Sequence, residues 1–243
     1  MSQVINLLKN HRSIRKFKSD PISDEKVHAI IEAAGWAATS NFIQAYSVIR
    51  VENTQTRKQI ADLAGPQPWV EKSPLFLVFC ADLKRPYSAC DHEKKQMVSG
   101  YTEQFIIATV DVSLAAQNAM IAAESMGLGG VYIGGIRNNP ELVCELLKIP
   151  DHVYPVFGMC LGYPDELSEQ KPRLPVSVTL KQEYYQEDKA DLENYNKICH
   201  DYYQKRSFSS RDDTWTGQIS NMMSKPARPH MKEFLEKRGF EFK

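Results

Sequence analysis

The seven residues "LFLVFCA" at 75–81 are apolar without interruption. Successive side chains of a strand point to opposite faces, so a strand with one wet face alternates apolar and polar residues. A run with no polar face predicts a central strand covered on both sides. The cover is readable nearby. The stretch from about 101 to 126, ending "VSLAAQNAMIAAESMGLGG", predicts a long helix. Its small residues suit close packing, and Gly127 can end it. "DPISDEKVHAIIEAAGWAA" predicts another helix: Pro21 precedes it, Ser23 can cap it, and Asp24 and Glu25 suit its positive end. Val27, Ile30, Ile31 and Ala34 then follow helical spacing.

Weaker signals fill in the rest. Residues 3–9 predict a short helix, 46–51 a strand, and "TQTRKQIADLAG" a helix that Gly65 ends. Residues 83–100 are polar and predict an irregular excursion. "VYIGG" reads as a short strand and "NPELVCELLKI" as a helix with an early proline. "VYPVFGMCLGYP" reads as a strand broken by turn residues, with another short strand after "KPRLP". From about 187 the chain is helical, polar and Tyr-rich, with few aliphatic anchors. Such a tail either wraps the core or a second subunit, or forms a plain helical subdomain.

Several function classes fall away. Lys+Arg and Asp+Glu number 30 each, so there is no global basic field for nucleic acid. Arg12, Arg15, Lys16 and Lys18 are a local patch without interleaved aromatics, so no nucleic-acid partner is expected. The five cysteines have no CxxC spacing, and Cys80, Cys144 and Cys160 sit among apolar residues. They read as reduced packing residues in a cytoplasmic protein. The first residues, "MSQVINLLKN", are too short and polar for a signal peptide. No apolar run approaches the roughly 20 residues of a membrane helix, so no membrane partner is expected. There is no GxxxxGK[ST], GxSxG or HExxH. "GLGGVYIGG" misses the GxGxxG spacing and leads from helix to strand, the reverse of the Rossmann order. His28, His152, His200 and His230 are scattered, read as structural, and imply no metal.

Five segments suit an anionic, partly planar ligand. "HRSIRKF" (11–17) offers guanidinium forks, a hydroxyl and an imidazole, and alternate residues of it can converge on one phosphate. In "KPRLP" (171–175) the proline favours extended chain, so Lys171 and Arg173 can point the same way. "ATSN" (38–41) is polar, "GPQPW" (65–69) puts Gln67 in a turn, and the glycines of "YIGG" (132–135) allow close backbone approach. Singly these are a solvated face, loops and turns. Together they describe a ligand with a phosphate at one end and a flat polar ring at the other, which suits flavin mononucleotide better than a dinucleotide.

"HRSIRKF", "AAQNAMIAAESMGLGGVYIGGIRN", "FGMCLGYP", "KPRLP" and "RDDTW" resemble the oxygen-insensitive NADPH nitroreductase and flavin reductase family over essentially the whole chain. The resemblance implies an α+β fold, with a mixed, mainly antiparallel sheet flanked by helices. It also implies an intertwined homodimer with an exchanged strand and FMN at the subunit interface. Residues 1–186 would be the FMN-binding core, and 187–243 an extension of the same domain embracing the partner.

By position, His11, Arg12, Ser13 and Arg15 would contact FMN, His11 and Ser13 at the phosphate and Arg15 at the pyrimidine end. Lys171 and Arg173 would serve the phosphate and ribityl region, and Gln67 the ring. Tyr132, Ile133, Gly134 and Gly135 would line the ring. Thr39 and Ser40 fall where the family has a serine run, from which "ATSN" departs. Arg206, in "YYQKRS", would bind the 2′-phosphate of NADPH, with Arg211 close by. The implied activity is ping-pong hydride transfer from NADPH through FMN to nitroaromatics, quinones or flavins. No side chain is required as nucleophile or obligatory acid. A dedicated NAD(P)H:FMN reductase, a disulfide reductase and a non-catalytic flavin-binding module are the alternatives.

Overall fold

A computed structural model describes residues 2–206 and 210–243. Its elements run α1 (Gln3–Lys9), α2 (Asp24–Gly35), β1 (Tyr46–Arg50), α3 (Thr54–Leu63), α4 (Pro68–Lys72), β2 (Leu75–Asp82), α5 (Lys84–His92), α6 (Thr102–Ser125), β3 (Gly129–Ile133), α7 (Pro140–Leu147), β4 (Val153–Gly162), α8 (Val176–Thr179), α9 (Lys189–Lys205), α10 (Trp215–Met223) and α11 (Met231–Lys237). The chain forms two compact units, Met1–Ser168 with His230–Lys243, and Glu169–Pro229.

In the first unit four strands form a sheet in the order β1-β2-β4-β3, every pair antiparallel. Among the described residues, parallel pairing occurs only as the isolated bridge between Ser13 and Gly130. The apolar run is β2, central and buried along its whole length. Helix α6 buries Ala108, Asp111, Val112, Ala115, Ala116, Ala119, Met120 and Ala123, a face of helical period filled largely by alanine. It packs against α2, and Asn118 donates to the Ala33 carbonyl at 3.2 Å. Ser23 caps α2 as the sequence predicts, its hydroxyl accepting from the Lys26 N–H.

Four expectations change. Helix α6 is 24 residues long and an 18-residue stretch of it has mean hydropathy 1.5, so by length and composition it is long and apolar enough to cross a membrane. Its buried face and fully buried Asp111 make it the core helix of this fold. Residues 84–92 are helical, because Asp82 at the end of β2 accepts from the Lys84 and Arg85 N–H groups at 2.9 and 3.2 Å and starts α5. Strand β4 runs unbroken through Pro155 and Gly158. Pro155 lies beyond the end of β3, beside a register shift opposite Phe79 and Cys80, where its missing N–H costs no ladder bond on the open side. After "KPRLP" comes the short helix α8, not a strand, closed by Leu180 N–H donating to the Val176 carbonyl at 2.8 Å.

The last residues return to the first unit's core. Phe234 and Phe240 are buried, and Phe240 meets the Tyr154 ring edge-on at 5.1 Å. The Lys243 N–H donates to the Gly100 carbonyl at 2.8 Å. The second unit has its own small aromatic centre of Tyr195, Cys199 and Tyr203, with Leu174, Tyr202 and Trp215 packed on it.

Candidate functional site

Residues 11–17 are stapled along the sheet. Ser13 bridges Gly130 and Phe17 bridges Pro164, while the Ile14 N–H donates to the Gly130 carbonyl and Lys18 N–H to the Tyr163 carbonyl, each at 2.9 Å. Ile14 is buried, and Ser13 and Arg15 on either side of it are not. An apolar anchor between polar neighbours turns the polar ones outward from the core, since adjacent residues of extended chain face opposite ways.

The cations of this segment differ in their partners. His11 Nδ1 lies 2.6 Å from Glu124 Oε1, and Lys16 pairs with Glu166. Arg12 donates only to main-chain carbonyls, of Asn10 at 3.4 Å and Ser168 at 3.3 Å. Arg15 lies over the Trp69 ring, 5.7 Å from its centroid. Among the described residues neither arginine has a carboxylate partner, so two guanidinium charges remain for an external anion.

Arg15 is linked onward to other predicted residues. The Trp69 indole N–H donates to Gln67 Oε1 at 3.0 Å, and Gln67 Nε2 donates to the Ala64 carbonyl at 3.1 Å. That carbonyl occupies the space where a side chain at Gly135 would start. The protein's own backbone therefore closes the Cβ side of Gly135, and only a glycine fits there. Gly134 is more open, its nearest neighbour being the Arg137 guanidinium. Arg57, buried on α3, holds this turn from beneath, donating to the Val70 and Ser73 carbonyls and to the Ser73 hydroxyl. Tyr132 donates weakly to Gln117 at 3.4 Å and stacks edge-on against Phe157. Burial pushes its phenol upward, so it is neutral at ordinary pH.

Thr39 and Ser40 belong to a loop tied to α6. Asp111, fully buried, accepts from the Ser40 N–H at 3.0 Å and the Ala45 N–H at 3.1 Å. Between these anchors Asn41, Phe42 and Gln44 all have positive φ, a conformation that needs such fastening.

The remaining predicted residues lie in the second unit. Arg173 donates back to the Lys171 carbonyl at 2.8 Å. Arg211 lies over the Tyr203 ring at 4.3 Å, pairs with Asp213 at 3.4 Å and donates to Gln218. Arg206 contacts the Tyr202 and Tyr203 rings at 5.7 and 5.9 Å. Ser207, which ends the "YYQKRS" stretch, lies outside the described residues. Sequence reasoning missed Trp69, Glu124, Asp111 and Arg57. Only Trp69 left a signal, inside "GPQPW". Among the described residues no group of three or more His, Cys, Asp or Glu could hold a metal.

This arrangement meets a match in family comparison. The nitroreductase family model covers residues 8–163, and that family's C-terminal domain covers 171–243. The chain belongs to the nitroreductase family. This nitroreductase is 43% identical over 241 residues to an oxygen-insensitive NADPH nitroreductase of Salmonella typhimurium, with 99% of each chain covered. It is 41% identical over 247 residues to the FMN reductase (NADPH) of Bacillus subtilis, again over 99% of each. It superposes with a TM-score of 0.91 and 38% identity on the NADPH:FMN oxidoreductase of Vibrio harveyi complexed with NAD+, covering 100% of both chains. The donor set fits FMN: the guanidiniums of Arg12 and Arg15, without carboxylates, sit beside a hydroxyl and an imidazole, next to an aromatic and amide wall.

Proposed function

We propose that this nitroreductase is an FMN-dependent NADPH oxidoreductase that reduces nitroaromatics, quinones or flavins. The observation that carries the reading is the pair of guanidiniums without carboxylates on the stapled 11–17 segment, joined through Trp69 to Gln67. Its full-length relatives named for NADPH and FMN reduction or nitroreduction support it. When bound, FMN supplies the hydride chemistry, accepting from NADPH and giving to the acceptor.

The protein holds and polarises. His11, Arg12 and Ser13 bind the phosphate, with Lys171 and Arg173 serving the phosphate and ribityl region. Arg15 places positive charge at the pyrimidine end, where negative charge grows on reduction. Trp69 keeps that guanidinium in place. Gln67 and residues 132–135 face the ring, and Thr39 and Ser40 approach it from the loop that Asp111 fastens. Arg206 takes the 2′-phosphate of NADPH. Arg211, already engaged by Asp213 and Gln218, packs the Tyr203 surface beside it. Donor and acceptor occupy the same place in turn, which makes the exchange ping-pong.

The working unit in this reading is a cytoplasmic homodimer with FMN at the interface. Residues 1–186 form the core, and 187–243 embrace the partner, exchanging a strand. Ile106, Val110 and Leu114, exposed one helical turn apart on α6, offer such an interface an apolar stripe.

The names of the relatives divide between flavin reductase and nitroreductase, so a dedicated NAD(P)H:FMN reductase is the second reading. A visible spectrum of the purified protein, followed by anaerobic NADPH, tests the first. A flavin band that bleaches and returns with a nitroaromatic or quinone supports it. Bound flavin that NADPH leaves oxidised sinks it in favour of a binding module. Return with free FMN only favours the second reading.

A further inference from the structure

Glu124 lies in the last turn of α6, where the unsatisfied carbonyls of the helix end disfavour negative charge. Its side chain is only 11% exposed, which adds a desolvation cost. A carboxylate kept there needs a cationic partner. His11 supplies it from 113 residues away, with Nδ1 2.6 Å from Glu124 Oε1. The other ionisable groups shown near the pair are Arg12, which lines the same cavity as Glu124, and Tyr132 on β3, which burial and Glu124 together keep neutral.

An ionised carboxylate only accepts hydrogen bonds, so Nδ1 must be the donor. Neutral imidazole carries one N–H, and donation to Glu124 would leave Nε2 as an acceptor. A phosphate oxygen facing Nε2 is an acceptor too, and the two would repel. Only the imidazolium, with both nitrogens protonated, can bridge two anions.

We propose that Glu124 is a positioning residue for the flavin phosphate: it engages Nδ1 of His11 and fixes the ring, so that Nε2–H is presented to a phosphate oxygen. The proposal rests on the reading of His11 as a phosphate ligand. It makes Glu124 matter to FMN and not to riboflavin, which has the same ring and no phosphate.

The test uses the full-length protein freed of flavin at neutral pH, titrated with FMN and with riboflavin by fluorescence quenching. Glu124→Gln should weaken FMN binding by roughly tenfold, the loss of about one charge-assisted hydrogen bond. Riboflavin binding should stay within about twofold. Glu124→Asp, which keeps the charge on a shorter stem, should recover part of the FMN affinity. Nitrogen-15 NMR of the FMN complex should show both His11 ring nitrogens protonated in the wild type and one in Glu124→Gln. Equal weakening of FMN and riboflavin would assign Glu124 a packing role and overturn the proposal, as would unchanged FMN affinity or a neutral His11 in the wild-type complex. If Glu124→Gln fails to fold, the wild-type NMR signature alone decides. A wild-type protein that binds neither flavin overturns the flavin reading itself, an outcome separate from those.

Discussion

The carbonyl oxygen of Ala64 stands in the space that a Cβ on Gly135 would need. The oxygen belongs to main chain at the end of α3, so it cannot swing aside as a side-chain tip would. Gly135→Ala should therefore cost about 2–3 kcal/mol and lower the apparent unfolding midpoint by several degrees. Gly127→Ala is the comparison. That residue has φ +79° and nothing within 4 Å of its missing Cβ, so only backbone strain of about 1 kcal/mol is expected. Equal midpoints in thermal melts of the two variants would contradict the steric argument.

Arg57 is 8% exposed, and its donors serve the carbonyls of Val70 and Ser73 and the Ser73 hydroxyl. Arg57→Ala leaves those oxygens without their donor and should destabilise by about 3 kcal/mol. The turn it supports carries Gln67 and Trp69, so flavin retention on gel filtration should fall as well. A variant that is destabilised but keeps its flavin fully would separate Arg57 from the site.

Arg15 has an aromatic face and, among the described residues, no carboxylate to hold it. Arg15→Ala should slow flavin reduction by NADPH or weaken FMN retention, by roughly tenfold, one lost charge-assisted interaction. Stopped-flow reduction and flavin release at equilibrium read the two effects. Wild-type behaviour in both would remove Arg15 from the site.

Arg206 is the less committed of the two arginines near Tyr203, since Arg211 is bound by Asp213 and Gln218. Arg206→Ala should raise KM for NADPH by roughly tenfold or more and leave KM for NADH within about twofold, because only NADPH carries the 2′-phosphate. Steady-state kinetics with both donors measure this. An equal rise for both refutes the role.

Burial pushes the Cys144 thiol up to about 11 and the Cys160 thiol to about 12, both from an ordinary 9.0. Tyr154 is pushed from 10.0 to about 12, again chiefly by burial. The folded state thus keeps protons that the unfolded chain releases. Their stabilising effect is complete below pH 9 and declines as pH rises toward 12. Urea midpoints under reducing conditions should fall through this range. Cys160→Ala should make the fall shallower by about 1.4 kcal/mol per pH unit. Parallel slopes for variant and wild type would exclude Cys160 as a contributor.

Much of the framework was legible because its signals are local. The unbroken apolar run became the buried central strand, and the alanine-rich stretch became α6. Gly65 and Gly127 follow α3 and α6 with positive φ, as helix-ending glycines do. Helix α5 was missed because its starting acceptor, Asp82, is the last residue of β2. Strand β4 was misjudged because its proline lies where one neighbour is absent, a property of the sheet and not of the segment.

For the site, the sequence alone determined which chemistry was on offer: guanidiniums, a hydroxyl and an imidazole in seven residues, a glutamine in a turn, and glycines after a short strand. Such groups announce themselves by type and spacing. Only the tertiary structure decided which of them remain available. It gave Glu124 to His11 across 113 residues, set Asp111 under Ser40 across 71, and closed the Cβ side of Gly135 with the Ala64 carbonyl. Among the described residues it left Arg12 and Arg15 without carboxylates. The reason is physical: periodicity and capping act within a few residues, whereas the partner of a charge is chosen by packing, which joins residues without regard to their separation along the chain.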